Sequence, residues 1–300
     1  MAGCNNQGKI TKGKPRWLRR SLPTGPEYEQ MRKLLKNNHL TTVCQEAQCP
    51  NQFECYSEGT ATFMILGERC TRNCHFCAVE HNPLSLPDPE EPGRVAEAVE
   101  LLQLRYAVIT SVTRDDLADG GAALFAETIK AVRTLRETTL IEVLIPDLQG
   151  NWQALETITE ARPDVLNHNM ETVAELYPAV RPEAIYQRSL ELIAQVKRQD
   201  PQMVTKSGIM LGLGETHDQL LRTWDDLLAA GCDILTLGQY LQPSKNHLPV
   251  ERFVEPEEFD SLKQQALERG FAGVAAGPFV RSSYQAEKLY RKVRRKLKSQ

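Results

Sequence analysis

Six of the chain's eight cysteines fall in two tight groups, Cys44, Cys49 and Cys55, then Cys70, Cys74 and Cys77. The second group reads Cys-Thr-Arg-Asn-Cys-His-Phe-Cys, three thiols within eight residues. Soft sulfur ligands crowded on one short loop suit an iron–sulfur cluster, whose iron corners each take one thiolate. Three thiolates leave one iron of a four-iron cubane without a protein ligand, and an open iron can bind substrate. The first group, Cys-x4-Cys-x5-Cys, has the same three-ligand deficit. A structural zinc site usually gathers four ligands from Cys-x2-4-Cys pairs. Here the second group supplies three, and no second Cys-x2-Cys pair occurs anywhere in the chain. Two incomplete cluster sites in one small protein point to an enzyme that does chemistry with them.

Such loops need a rigid scaffold, and the hydrophobic pattern supplies one. Strands are expected over Thr62–Gly67, Tyr106–Val112, Leu140–Ile145, Val165–Asn169, Val204–Leu211 and Asp233–Gly238, with a weaker one at Gly273–Ala276. Between them helices are expected over Arg94–Leu104, Ala122–Arg136, Trp152–Glu160, Tyr186–Arg198, Thr216–Ala229 and Pro256–Arg269. Leu220, Leu221, Trp224, Leu227 and Leu228 repeat at helical spacing. Thr216 and Gln219 stand at the offset of a capping box, Pro256 suits a first helical turn, and Gly270 suits an end. Strands alternating with helices of this length indicate parallel βα units. Six or seven units predict an α/β fold, a partial (β/α)6 TIM-like barrel with N-terminal and C-terminal extensions. A doubly wound open sheet alternates in the same way and is the alternative. The Cys70 group directly follows the first expected strand, at the strand end where βα barrels build active sites.

The composition is that of an ordinary globular protein, 41% hydrophobic and 25% charged over 300 residues. A net charge of −3 implies no bulk attraction to nucleic acid or anionic membrane. No apolar run approaches the roughly 20 residues needed to span a bilayer. The first thirty residues are polar and show no signal-peptide pattern. A cytoplasmic protein is therefore expected, where clustered cysteines are more often metal ligands than disulfides. A basic run, Lys9 to Arg20, is followed by an expected helix from Glu27 to about Asn38, with no strand pattern before Thr60. The run reads as a solvated face that could also steer an acidic partner. The basic tail Lys288–Lys298 sets Leu289, Val293 and Leu297 on one helical stripe and reads as a solvated helix docked on the barrel wall.

Cys70-x3-Cys74-x2-Cys77, with Phe76 before the last cysteine, resembles the signature of the radical S-adenosylmethionine superfamily. In that superfamily the open iron binds the amino and carboxylate groups of S-adenosylmethionine. An electron from the cluster then cleaves the sulfonium to methionine and a 5′-deoxyadenosyl radical. Within it the chain resembles the lipoyl synthases. The motifs that carry this are Val43-Cys44-Gln45-Glu46-Ala47-Gln48-Cys49-Pro50-Asn51 through Cys55, and Phe63-Met64-Ile65-Leu66-Gly67. Thr110 to Leu117 with Asp119-Gly120-Gly121-Ala122, and Asn167-His168-Asn169-Met170-Glu171-Thr172, belong with them. So do Lys206-Ser207-Gly208 to Gly214-Glu215, Gly238 to Ser244, and Arg281-Ser282-Ser283-Tyr284. The likeness runs from about Arg16 to Ala286, and the tail beyond Lys288 carries none of the motifs.

The resemblance implies two [4Fe–4S] clusters with S-adenosylmethionine as co-substrate. Cys70, Cys74 and Cys77 would hold the first, and Cys44, Cys49 and Cys55 an auxiliary one whose fourth ligand is Ser283. A serine alkoxide is harder than thiolate and holds iron less securely, which suits a cluster that must surrender sulfur. Read alone, Ser282-Ser283 is instead an N-cap for a helix over Tyr284–Leu297. The implied organisation is a cluster-bearing extension over 1–60, the barrel over 61–280, and a returning segment over 281–300. The implied reaction inserts two sulfur atoms at C6 and C8 of an octanoyl chain on a lipoyl carrier domain, drawing sulfide from the auxiliary cluster. Its implied partners are that carrier and an electron donor of ferredoxin or flavodoxin type.

Thr113, Glu142 and Asn169 fall at the ends of the second, third and fourth expected strands, where a barrel would aim them at the cofactor. A turn or cap is the bland reading of Thr113. Glycines 208, 212 and 214 could let backbone approach adenine, but no GxGxxG spacing supports a Rossmann site. His75 is expected to point away from the cluster, and Cys232 to be a small buried hydrophobe; Cys4 has no assigned role. Two rivals remain. A methylthiotransferase or biotin-synthase-like sulfur inserter would share the Cys70 group but not the surroundings of Cys44–Cys55 and Ser283. A metal-stabilised nucleic-acid-binding module would need complete zinc sites and a basic face.

Overall fold

The computed structural model describes residues 15–18, 29, 33, 40–42, 51, 62–81 and 84–298. Cys4, Cys44, Cys49 and Cys55 lie outside the described residues, as do most of the Lys9–Arg20 run and of the helix expected from Glu27.

In chain order the strands are β1 (Thr41–Thr42), β2 (Thr62–Ile65), β3 (Arg69–Cys70), β4 (Glu80–His81), β5 (Tyr106–Ser111), β6 (Leu140–Leu144), β7 (Val165–Asn167), β8 (Val204–Leu211), β9 (Ile234–Gln239) and β10 (Gly273–Gly277). The helices are α1 (Glu91–Leu101), α2 (Ala122–Leu135), α3 (Trp152–Glu160), α4 (Tyr177–Val180), α5 (Tyr186–Gln199), α6 (His217–Ala229), α7 (Pro256–Arg269) and α8 (Ala286–Lys298). β3 and β4 pair with each other, and the rest form one sheet in the order β1-β2-β5-β6-β7-β8-β9-β10. All neighbours in that sheet are parallel except β1, which runs antiparallel on the edge of β2.

Strand order that simply follows the chain is barrel winding, because a doubly wound sheet reverses at a switch point. Among the described residues β10 pairs only with β9, so the barrel is partial. Six βα units are followed by β10, a seventh parallel strand. The period-2 alternation separates two faces. Ala107, Ile109, Ile141, Val143 and Leu166 pack outward with Val95, Phe125, Ile129, Leu155 and Ile158 of the helices. Leu235, Leu237 and Val274 do the same with Leu190, Trp224, Leu227 and Phe259.

The inward face supplies Tyr106, Val108, Val165, Val204 and Ile234, and these cluster with Ala286, Tyr290 and Val293 of α8. The tail helix is therefore not on the outer wall. It fills the barrel's interior, because the apolar stripe expected there meets strand side chains that no other described helix covers.

The local signals mostly held. Thr216 and Gln219 form the capping box of α6, Pro256 opens α7, and Gly270 closes it at a φ of 128°. The first helix starts three residues earlier than expected, because Pro92 is accommodated in its first turn. β1 and α4 were not expected; elements of two and four residues carry no readable period.

Candidate active site

β2 is followed by Leu66 and Gly67, both at positive φ, which turns the chain sharply into the three-cysteine loop. The β3–β4 ladder closes that loop at its base, with Cys70 opposite His81. The Sγ of Cys70 accepts the amides of Arg72 at 3.4 Å and Thr113 at 3.3 Å. Amide donors aimed at a sulfur are what a cluster thiolate uses to spread its charge. The Cys77 amide donates to the Cys74 carbonyl at 3.0 Å, a tight turn between the two ligands.

The loop is fastened from several elements. Arg72, buried between Cys70 and Cys74, donates to both oxygens of Asp115 at 2.6 and 2.9 Å and to Asp147 at 2.6 Å. Burial alone would raise the Asp147 carboxyl, but the hydrogen bond and charge of Arg72 hold it down to about 2. His75 donates from Nδ1 to the Ala179 carbonyl at 2.7 Å, so its ring points into α4, away from the cysteines as expected. His247 donates from Nε2 to the Cys77 carbonyl at 2.9 Å, with Ser244 on its Nδ1. Sequence reasoning missed Arg72, Asp147 and His247.

Burial pushes the Cys74 thiol up to about 12, against the pull of Arg181, and the Cys77 thiol up to about 11. A metal bound at such sulfurs would take them as thiolates and release their protons. Among the described residues no three His, Cys, Asp or Glu side chains converge on a single ion. A cubane distributes its thiolates over separate irons, and these donors suit one.

The three expected cofactor contacts have different surroundings. Thr113 reaches the loop by its backbone, donating to Cys70 and accepting from the amide and hydroxyl of Thr71, both at 3.0 Å. Asn169 lies just past β7 and its amide meets Glu171 at 3.0 Å and Ser282 at 2.9 Å. Glu142 is not at a strand end; it is the middle residue of β6, fully buried, and its carboxylate is occupied by Tyr106, Asn167 and Lys206. Two further residues face this region. Arg181 is buried and forms no ion pair with a described carboxylate; its Nη1 donates to the Asn169 and Met170 carbonyls, and its Nε has no partner. Glu171, at a φ of 65°, has its carboxyl raised by burial although Arg181 opposes this.

At the other end of the chain, Asn51, which lies between Cys49 and Cys55, donates from Nδ2 to the Phe279 carbonyl at 2.5 Å. That contact ties Asn51 to the segment carrying Ser283. The serines differ: Ser282 exchanges hydrogen bonds with the Asn169 amide, whereas the Ser283 hydroxyl has no partner among the described residues. Neither hydroxyl caps a helix, since α8 begins only at Ala286. Cys232 is buried and donates to the Ile234 carbonyl, as expected of a small core residue.

A three-cysteine loop opening from the first parallel strand of a partial barrel places the chain among radical S-adenosylmethionine enzymes, and the model of that superfamily matches residues 64–227. Solved structures of the same fold include methylornithine synthase, with a TM-score of 0.52 at 16% identity over 79% of this chain and 72% of that one. HydG, a maturase of the [FeFe]-hydrogenase, gives 0.56 at 13% identity over 77% and 54%. A second family model, the N-terminal domain of lipoyl synthase, matches residues 4–49. The chain is 69% identical over 288 residues to the lipoyl synthase of Desulfotalea psychrophila, covering 96% of each. Against that of Alkaliphilus metalliredigens it is 53% identical over 275 residues, 92% of this chain and 95% of the other. The chain belongs to the lipoyl synthase family, radical enzymes that use a [4Fe–4S] cluster and S-adenosylmethionine to insert sulfur. Among the described residues, no helix is long and apolar enough to cross a membrane.

Proposed function

We propose that this lipoyl synthase holds two [4Fe–4S] clusters, one at Cys70, Cys74 and Cys77 and an auxiliary one at Cys44, Cys49, Cys55 and Ser283. The first supplies the electron that cleaves S-adenosylmethionine, and the second supplies the sulfur placed at C6 and C8 of an octanoyl chain on a lipoyl carrier domain. Residues 1–60 form the auxiliary extension, 61–280 the barrel, and 281–300 the segment that returns to it. A ferredoxin or flavodoxin would deliver electrons.

The chain's own residues have distinct tasks. The amides of Arg72 and Thr113 stabilise the Cys70 thiolate. Arg72, His247 and the β3–β4 ladder keep the loop in one shape. Asn169 and Thr113 stand where the cofactor's polar groups need partners, and Arg181, which forms no ion pair among the described residues, suits its carboxylate. Unactivated C–H bonds offer a general base nothing to work on, so these residues orient and exclude water rather than move protons.

The observation that carries the two-cluster reading is the Asn51 to Phe279 hydrogen bond, close in sequence to a Ser283 hydroxyl without a partner among the described residues. Anaerobic incubation of the loaded enzyme with an octanoylated lipoyl domain, S-adenosylmethionine and a reductant tests it by mass spectrometry. Heavy-isotope sulfide built into the clusters should appear as both product sulfurs. Replacing Cys44, Cys49 or Cys55 by Ala should stop sulfur insertion and spare cofactor cleavage, whereas replacing Cys70, Cys74 or Cys77 should stop both. Equal loss of cleavage in the two sets, in folded protein, would sink the reading.

A further inference from the structure

Midway up the barrel lies a polar layer that the chemistry above does not use. Lys206, the third residue of β8, is almost fully buried, and its Nζ lies 2.9 and 3.1 Å from the two oxygens of Glu142. Tyr106 Oη donates to the same carboxylate at 2.5 Å and Asn167 Nδ2 at 3.1 Å. Four strands thus converge on one carboxylate. An ion pair so deep is a poor source of stability, because desolvating both charges offsets most of their attraction. Well-packed apolar side chains would hold four strands together as well. The pair needs another task.

Lys206 also donates to the carbonyl of Ser282, 76 residues along the chain. The side chain of that serine is held at 2.9 Å by Asn169. Within the segment the main chain makes short turns, Val280 to Gly277, Tyr284 to Arg281 and Ala286 to Ser283. Two of its fixed points outside are Asn51 on Phe279 and the Lys206–Asn169 grip on Ser282. The next residue is Ser283, whose hydroxyl has no partner among the described residues.

We infer that Lys206, charged and braced by Glu142, is a positioning residue that sets where Ser283 is presented to the auxiliary cluster. The inference rests on the reading of Ser283 as a ligand. Glu142 fixes the ammonium by two oxygens, leaving a proton of Nζ for the Ser282 carbonyl. The pair also forms a floor. Below it, α8 packs dry against Tyr106, Val108, Val165, Val204 and Ile234; above it lie Asn169 and Ser282. One side chain thus couples the plugged half of the barrel to the half that does chemistry.

The test follows iron release from the anaerobically loaded full-length enzyme to a chelator, the auxiliary phase being the one absent from Cys44→Ala. Lys206→Gln keeps a donor for Glu142 but is one bond shorter and does not reach Ser282; Lys206→Met removes the donor altogether. Both should cleave S-adenosylmethionine within about twofold of the parent while auxiliary iron leaves at least about tenfold faster, the scale on which outer partners of metal ligands act. Adding Ser283→Ala to either should accelerate release no further, because two residues acting through one bond are not additive. Parental release from the Lys206 variants, or effects that multiply with Ser283→Ala, would overturn the inference. So would failure of both variants to fold, which would make the pair a requirement of the barrel itself. Parental release from Ser283→Ala alone is a separate result, and it would remove the ligand reading on which the inference stands.

Discussion

Arg72 shows how one side chain between two ligands governs the loop they share. Its guanidinium fork spans Asp115 and Asp147, two carboxylates on separate βα loops, and Asp147 is completely buried. Arg72→Ala strands that carboxylate, with Arg188 at 3.4 Å as a partial substitute. Breaking one side of a buried pair costs about 3 kcal/mol, so the denaturation midpoint should fall and the cluster's iron should be lost with it. Arg72→Lys should keep part of the stability but not the two-carboxylate geometry, because an ammonium cannot form the fork. A variant Arg72→Ala that retained parental stability and iron would show the bridge to be idle. The cysteines could be read from the sequence because a cluster loop keeps its ligands within a few positions of each other. Arg72 could not, because its partners lie 43 and 75 residues away. Glu142 was misplaced for a related reason: its strand is recognisable, but its level within that strand depends on where the ladder stops.

At the scale of elements, α8 and the strands it meets are fitted by glycine. A Cβ on Gly273 of β10 would lie 2.4 Å from a Val293 methyl, and one on Gly238 of β9 would lie 2.2 Å from the Val280 carbonyl oxygen. Contacts that short force something to shift. Gly273→Ala should therefore destabilise the protein by about 2 kcal/mol, the usual scale of overpacking. Val293→Ala makes room for the new methyl, so the double variant should lose less than the two single losses added together. Strictly additive losses in urea unfolding would mean that the helix does not sit against β10 as described. No such relief is available at Gly238, where the obstacle is backbone rather than a side chain. Periodicity made nearly every strand and helix legible, since period 2 and period 3.6 are local properties of the chain. It could not say which surface the stripe of Leu289, Val293 and Leu297 would cover. That was decided by the barrel, which leaves its inward face open to a helix and sets Gly273 opposite the valine.

The whole molecule has two outer cores, one gathered around β2, β5 and β6 with the first three helices, the other around β8, β9 and β10 with the later ones. His168, just past β7, stands at the seam between them. Its Nδ1 donates to the Ile145 carbonyl on one side at 2.8 Å, and its Nε2 meets the Ser189 hydroxyl of α5 on the other at 2.9 Å. Burial, with help from Arg181, lowers this imidazole to about 4. An unfolded histidine titrates near 6.5, so between those values the unfolded chain binds a proton that the native chain refuses. Stability must then be full above about 6.5 and fall as pH drops towards 4. The loss over that window is roughly 3 kcal/mol, from about 1.4 kcal/mol per pH unit. Asp147 acts in the same direction, but only below the ordinary aspartate range, because Arg72 holds it down to about 2. The two windows are therefore separable. Urea unfolding from pH 7.5 to 4.5 should show the parent losing stability steadily as the pH falls. His168→Gln should be weaker at pH 7.5, since a shorter amide cannot satisfy both neighbours, yet its stability should change much less on acidification. The two curves should converge near pH 4.5. Parallel curves would mean that the seam does not carry the acid sensitivity and that His168 is already protonated in the native protein.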